Sequence, residues 1–259
     1  MSEWRFSGLE FHILLAAYGR DRLPYPIQFR PQARDFDNLA RQRDAAVGAL
    51  LGKHSIELER ALGVLLEPEV RIESKGFSGP DLIHTLRFHG AVQGAAGATV
   101  TQLPGPMPDI GAAVIVKYCA ASQVAANAVA ALPDAQAGAN PPIEVRRAEV
   151  TADRERPVRR AHEVSIAQQL DRVFKRDRRG LGEVTVLPGP AVDARPSFGR
   201  GFWWMDYEDG RYYVKTGDPI IAKPMNAAAM IAEITRLTTL THRYYLEDRE
   251  HDEYLRTRR

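Results

Sequence analysis

The sequence predicts an α+β fold, and three observations carry that reading. The chain runs twice through one order of elements, helix, four strands, helix, in pseudo-repeats at about 1–132 and 161–240. Residues 201–217 hold two aromatic-rich runs around Glu208, Asp209 and Gly210. Asp-Gly between β-prone runs marks a hairpin, because a tight hairpin turn needs positive φ. Side-chain alternation then puts Trp203, Met205 and Tyr207 on one face and Phe202 and Trp204 on the other. A sheet apolar on both faces is covered by helices on both sides, or keeps one face for a partner. No catalytic group with a chemical helper sits in this hairpin, so it is built for packing or docking.

Each element follows from local pattern. Ser7 and Glu10 form a capping box, Leu9 and Ile13 continue at helical spacing, and Gly19 stops the helix. Pro24 and Pro26 hold the next segment out of a helix. Helices follow over 37–51, with Leu39, Val47, Leu50 and Leu51 on an apolar side, and over 55–66, ended by Pro68. Val70 and Ile72 alternate with charge, and residues 82–89, 95–103 and 112–117 read as further strands. Ser122 is placed to cap a helix running to Leu132. Residues 133–160, rich in Ala, Gly and Pro and then in charge, read as an exposed connector. A helix over 164–178 presents Ile166, Leu170, Val173 and Phe174 on one side, and Gly180 and Gly182 end it. Strands follow at 183–187, 202–207, 211–215 and 219–222, then a helix over 225–240 with Met230, Ile234 and Leu237 in line. The charged tail 247–259 is frayed or an exposed helix. The unit ends also match: Val114, Ile115, Val116 and Lys117 lead into an alanine-rich helix, as do Ile220, Ile221, Ala222 and Lys223.

Composition narrows the function classes. At 259 residues the chain can bury a sizeable core, and 35 basic against 33 acidic residues call for neither nucleic acid nor an anionic membrane. Cys119 is alone, which excludes an intrachain disulfide and suits a reducing compartment. The first residues lack the basic and apolar regions of a signal peptide, and no apolar run is long enough for a membrane span. The expectation is a cytoplasmic globular protein.

The chemistry-bearing residues are weighed against plainer roles. The seven histidines form no ligand set, and His84 and His89, five apart on a strand, point to opposite faces. No metal site is expected. Cys119 precedes a helix, where a thiolate is favoured, but its alanine-rich setting favours a buried structural cysteine. Gly90, Gly94 and Gly97 match neither phosphate-cradling loop and lead into a strand, so no cofactor is expected. The arginines of 143–160 are diluted by acids and lack interleaved rings, which favours a solvated face over a nucleic-acid patch. Asp206, Glu208 and Asp209 cluster on the hairpin tip, where turn chemistry accounts for Asp209 and solvation for the others.

These residues carry a resemblance. Ser7 to Phe11, the segment Arg22, Leu23, Pro24, Tyr25, Pro26, the hairpin pattern Asp206, Gly210, Arg211, Tyr212, and the run Ala222, Lys223, Pro224, Met225, Asn226 are similar, in order, to the EspG family. EspG proteins are cytosolic chaperones of actinobacterial type VII (ESX) secretion. The resemblance implies one α+β domain over 1–259: a central antiparallel sheet flanked by two helical bundles, with pseudo-twofold symmetry. It implies no enzymatic activity and a PE/PPE-like helical secretion substrate as partner, captured by its apolar tip; a homodimer is compatible with it. The small-residue loop after Phe88 can reshape around such a partner, and methionines of the last helix offer adaptable contact. The expected partner-binding residues are therefore Phe88, His89, Val92, Gln93, Met225 and Met230. The competing readings are an enzyme using Cys119 or the carboxylate hairpin, and a nucleic-acid-associated protein using the arginine-rich connector.

Overall fold

The computed structural model describes residues 2–156, 165–191 and 198–257. Its strands are β1 (Ser2–Phe6), β2 (Val70–Ser78), β3 (His84–Gln93), β4 (Ala96–Pro104), β5 (Gly111–Ala120), β6 (Ile143–Val145), β7 (Gly180–Pro188), β8 (Arg200–Tyr207), β9 (Gly210–Lys215) and β10 (Ile220–Pro224). Its helices are α1 (Gly8–Ala17), α2 (Phe36–Leu51), α3 (Ile56–Leu66), α4 (Val124–Ala130), α5 (Arg147–Glu155), α6 (Ile166–Phe174) and α7 (Ala227–Thr257). The ten strands form one sheet in the order β1-β5-β4-β3-β2-β7-β8-β9-β10-β6, and each neighbouring pair is antiparallel. The α+β expectation thus holds, with a sheet running through both halves and joined at β2 and β7.

Local chemistry accounts for the helix starts. In α1 both capping-box bonds form: Glu10 N donates to Ser7 Oγ at 3.1 Å and Ser7 N to Glu10 Oε2 at 2.7 Å. Asp35 caps α2, Ser55 caps α3 and Ser165 caps α6. Ser122 does not cap α4; Gln123 instead accepts from Ala120 N at 3.1 Å.

Alternation sorts the core onto two faces. Val70, Ile72, Phe88, Val184, Val186, Phe202, Trp204 and Tyr213 pack with Met230, Ile234 and Leu237 of α7 and with α4, at the centre of one face. On the other face α1 and α3 cover Val100, Val114 and Val116, while α5 and α6 lie over Ile143 and Val145. Met205, Tyr207, Tyr212 and Val214 form a further cluster with Val173 of α6. The hairpin's two apolar faces are therefore both used, as the sequence implied.

Several expectations need correction. β1 went unread because five residues are short, although Trp4 and Phe6 alternate with Glu3 and Arg5 and pair with Val116 and Val114 of β5. The connector 133–160 is not a bare spacer: Ile143–Val145 adds a strand to β10, and α5 buries Val150. Proline and charge masked that short apolar alternation; residues 157–160 lie outside those described. Gly180 and Gly182 belong to β7 and do not end a helix, since α6 stops at Phe174. Their reason is packing. A Cβ on Gly182 would sit 2.6 Å from Gly76 Cα and 2.8 Å from Trp204 Cζ2, so the glycine pair makes room for the indole. In α2 only Ala46 is buried, and Val47 and Leu51 face solvent, because this helix packs mainly on α1. α7 continues as an exposed helix to Thr257, its last buried residue being Thr241.

The hairpin tip also differs. Tyr207 pairs with Gly210, which takes the positive φ of 128°. Asp206 is not solvated. It accepts from Arg211 Nε at 2.7 Å and from Arg211 Nη2 at 2.8 Å, with both side chains buried. Arg211 also donates to the Pro133 carbonyl at 2.7 Å and stacks over the Trp204 ring at 5.1 Å. Asp209 accepts from Tyr212 Oη, from Arg176 Nη1 at 2.6 Å and from Asn140 Nδ2 at 2.8 Å. Burial opposes its charge, but the Tyr212 and Arg176 hydrogen bonds hold its carboxyl below the usual range.

Candidate functional site

The structure divides the six expected partner-binding residues. Phe88, Val92, Met225 and Met230 lie in the core beneath α4 and α7, with Met230 fully buried. Gln93 is exposed at the end of β3 and donates to the Glu67 carbonyl at 2.9 Å. His89, one residue from Phe88, points to the opposite face. No surface groove joins all six, because methionines in line with Ile234 and Leu237 are a core stripe here.

The opposite face supplies a different site. α1 and α3 cover its one flank and α5 and α6 its other, and the central strands between them carry polar and charged side chains. Arg71, Glu73, Lys75 and Phe77 alternate along β2, Glu183 and Thr185 along β7, and Trp203, 36% exposed, stands on β8. This strip holds two depressions. One, of about 440 Å³, lies between Phe11, Leu15, Leu65, the Arg20 to Tyr25 segment and the side chains of Arg71, Glu73 and His89. The other, of about 550 Å³, is lined by Glu183, Thr185, Trp203 and the turn after β9.

Hydrogen bonds fix the walls of the first depression. Arg71 Nε donates to Glu73 Oε1 at 2.8 Å, two residues along and so on the same face. Arg71 Nη1 donates to the carbonyls of Pro188 at 3.2 Å and Gly189 at 2.7 Å. The segment after Pro26 is tied down by Gln102, which donates to the Gln28 carbonyl at 2.6 Å and accepts from Gln28 N at 2.9 Å. Arg87 Nη2 adds bonds to Gln28 Oε1 and the Pro108 carbonyl. Burial raises the Glu73 carboxyl against the pull of Arg71, with Glu183 adding to the rise. Tyr25 is raised by burial, then by Glu183 and Glu73. Sequence reading placed His89 among binding residues but missed Arg71, Glu73 and Trp203. Charge alternating along a central strand was the available signal, because it marks a face left without apolar cover.

His89 is 3% exposed, and its Nδ1 lies 2.8 Å from the Tyr25 carbonyl. Burial pushes its pKa down to about 4, opposed by the Tyr25 hydrogen bond and aided by Arg71. The folded value is below the unfolded one, so between them the unfolded chain binds the extra proton. The contribution is complete above pH 6.5 and is lost as pH falls toward about 4. It amounts to up to roughly 3 kcal/mol. Melts between pH 7 and pH 5 should therefore fall more steeply for the wild type than for His89→Gln; equal slopes would remove His89 as the cause.

The competing chemistry is placed as follows. Cys119 is buried, Asn127 Nδ2 lies 3.6 Å from its sulfur, and burial raises its thiol, which is the state of a structural cysteine. Arg147 of the arginine-rich stretch donates to the carbonyls of Thr216 and Gly217, fastening α5 to the β9–β10 turn. Arg176 stacks on Tyr207 at 4.1 Å. Arg159 and Arg160 lie outside the described residues. Among the described residues no group of three or more His, Cys, Asp or Glu is placed to hold a metal ion, and no helix is long and apolar enough to cross a membrane.

The model of the EspG family covers residues 7–236, most of the chain. That family is one of chaperones associated with type VII secretion and is not an enzyme family. No curated protein matches the chain.

Proposed function

The chain belongs to the EspG family, and on that premise we propose a non-enzymatic cytoplasmic chaperone that captures a PE/PPE-like type VII secretion substrate in an actinobacterium. It covers the apolar helical tip of that substrate, keeps it soluble and presents it to its secretion system. A protein with an exposed apolar helical tip aggregates unless the patch is covered. The observation that carries the placement is the asymmetry of the sheet. One face is covered at its centre by α4 and α7, whereas on the other, among the described residues, Trp203 and Phe77 stand partly exposed between the flanking helices. A helix laid on that strip would bury apolar side chains against Trp203 and meet Lys75 and Glu183 beside it, a helix-in-groove mode. This replaces a groove beside α7, since Met225 and Met230 serve the core.

We also infer that the two halves form one duplicated domain with pseudo-twofold symmetry. The strand order supports it: outward from the seam the strands run β2, β3, β4, β5, β1 on one side and β7, β8, β9, β10, β6 on the other. α4 follows β5 as α7 follows β10.

Pull-down of the tagged full-length protein from native lysate, read by mass spectrometry, tests the function. Wild type should retain a PE/PPE-like protein. Trp203→Asp should weaken that capture by about 30-fold, the effect of losing a central anchor worth about 2 kcal/mol, with melting little changed. Capture at wild-type strength by a folded Trp203→Asp protein would move the docking surface elsewhere. No helical secretion substrate among retained proteins would overturn the chaperone reading.

A further inference from the structure

α2 keeps large apolar side chains outside the core. Phe36 is 89% exposed and Leu51 76%, and Val47 and then Ile56, at the start of α3, are exposed as well. Single exposed apolar residues are ordinary, but a contiguous stripe of them marks an interaction surface. At 3.6 residues per turn, Phe36, Ala40, Arg43, Asp44, Val47 and Leu51 fall within about 100° of the helix circumference, and all six are exposed. Ala46, the buried residue of this helix, lies outside that stripe.

The stripe is also ordered in charge. Arg43 stands on one margin and Asp44 on the other, with Asp37 on the side of Asp44 and Arg41 behind them, off the stripe. Among the described residues neither Arg43 nor Asp44 forms an ion pair within the chain. Margins of opposite sign make the stripe complementary to itself in one orientation. Parallel helices related by a two-fold along them bring opposite margins together, whereas antiparallel helices bring like margins together. An antiparallel pair would therefore set Arg43 against Arg43 and the two acids against their counterparts. We propose that α2 is a homodimer interface, occupied by a second copy of this chain. The two helices run parallel, Arg43 of each copy faces Asp44 of the other, and Phe36, Ala40, Val47 and Leu51 close on their counterparts. The proposal does not rest on the chaperone reading, and it uses a different element from the docking strip. A helix of 16 residues is about 24 Å long. The pair thus buries an area at the low end of specific interfaces, under about 1,200 Å², and the dimer is transient, with a micromolar dissociation constant.

Sedimentation of the full-length protein over a concentration series reaching about 1 mM tests the dimer. Wild type should pass from monomer to dimer. Val47→Asp should weaken association by at least about tenfold, with circular dichroism and melting unchanged because the position is exposed. Arg43→Asp gathers only acids at the centre of the stripe and Asp44→Arg only bases. Each alone should stay monomeric, and an equimolar mixture of the two should dimerise. Cysteine cross-linking fixes the orientation. Ala40→Cys and Leu51→Cys should each join to its own counterpart, since an antiparallel pair can bring only one position onto its own copy. Cys119, which is buried, serves as the background. A wild type monomeric throughout the series, either charge variant dimerising like the wild type, a mixture that stays monomeric, or cross-linking at only one of the two cysteine positions would overturn the proposal.

Discussion

Arg211→Ala is expected to destabilise the protein by about 3–5 kcal/mol, the effect of leaving one member of a buried ion pair without the other. Asp206 and Arg211 meet through two hydrogen bonds in the core, and Arg211 also holds the Pro133 carbonyl and covers Trp204. Removal strands a buried carboxylate and frees the loop that crosses β9. Asp206→Ala should cost a similar amount, since the guanidinium is then uncompensated. The double variant Asp206→Leu/Arg211→Met should recover much of the loss, because apolar groups of like volume often replace a buried pair without penalty. Chemical denaturation of the three variants checks this. A cost below about 1 kcal/mol, the range of an exposed pair, would show that water reaches the pair.

Gly182→Val is expected to be damaging too, through backbone and not through charge. A Cβ at Gly182 lies 2.6 Å from both Gly76 Cα and the Lys75 carbonyl oxygen, so the neighbour is main chain and cannot rotate away. Overpacking of this kind costs about 1–3 kcal/mol or more, and here it wedges β2 from β7. If the halves form one domain, denaturation of the weakened protein should remain a single transition seen alike by Trp4 and Trp203, one in each half. Two separated transitions would show that the halves fold independently.

Legibility followed periodicity. Val70 to Lys75 and Phe202 to Tyr207 alternate cleanly, so their strands and faces could be assigned from sequence, and the hairpin carried its register with it. Given that register, Asp206 lies opposite Arg211, so their pairing was available to sequence reading. Tertiary context hid the rest. Met225 and Met230 read as adaptable surface, yet the stripe they share with Ile234 and Leu237 is the side a helix gives to a core. Gly180 and Gly182 read as punctuation because the indole they admit comes from another strand. Alternating charge over residues 71–75 marks that face, but its extent could not be read from them, since it depends on which helices lie over which strands.

The seam between β2 and β7 also sets an order of events during synthesis. Ser74 pairs with Val184, a separation of 184 − 74 = 110 residues. At about 5–20 residues per second, the ribosome needs roughly 5–20 s to deliver the partner strand. In that interval β2 is an edge carrying Val70 and Ile72, the kind of unpaired strand that joins other chains. The nascent first half is thus most prone to self-association before β7 emerges, and a translational pause between residues 80 and 180 would lengthen that exposure.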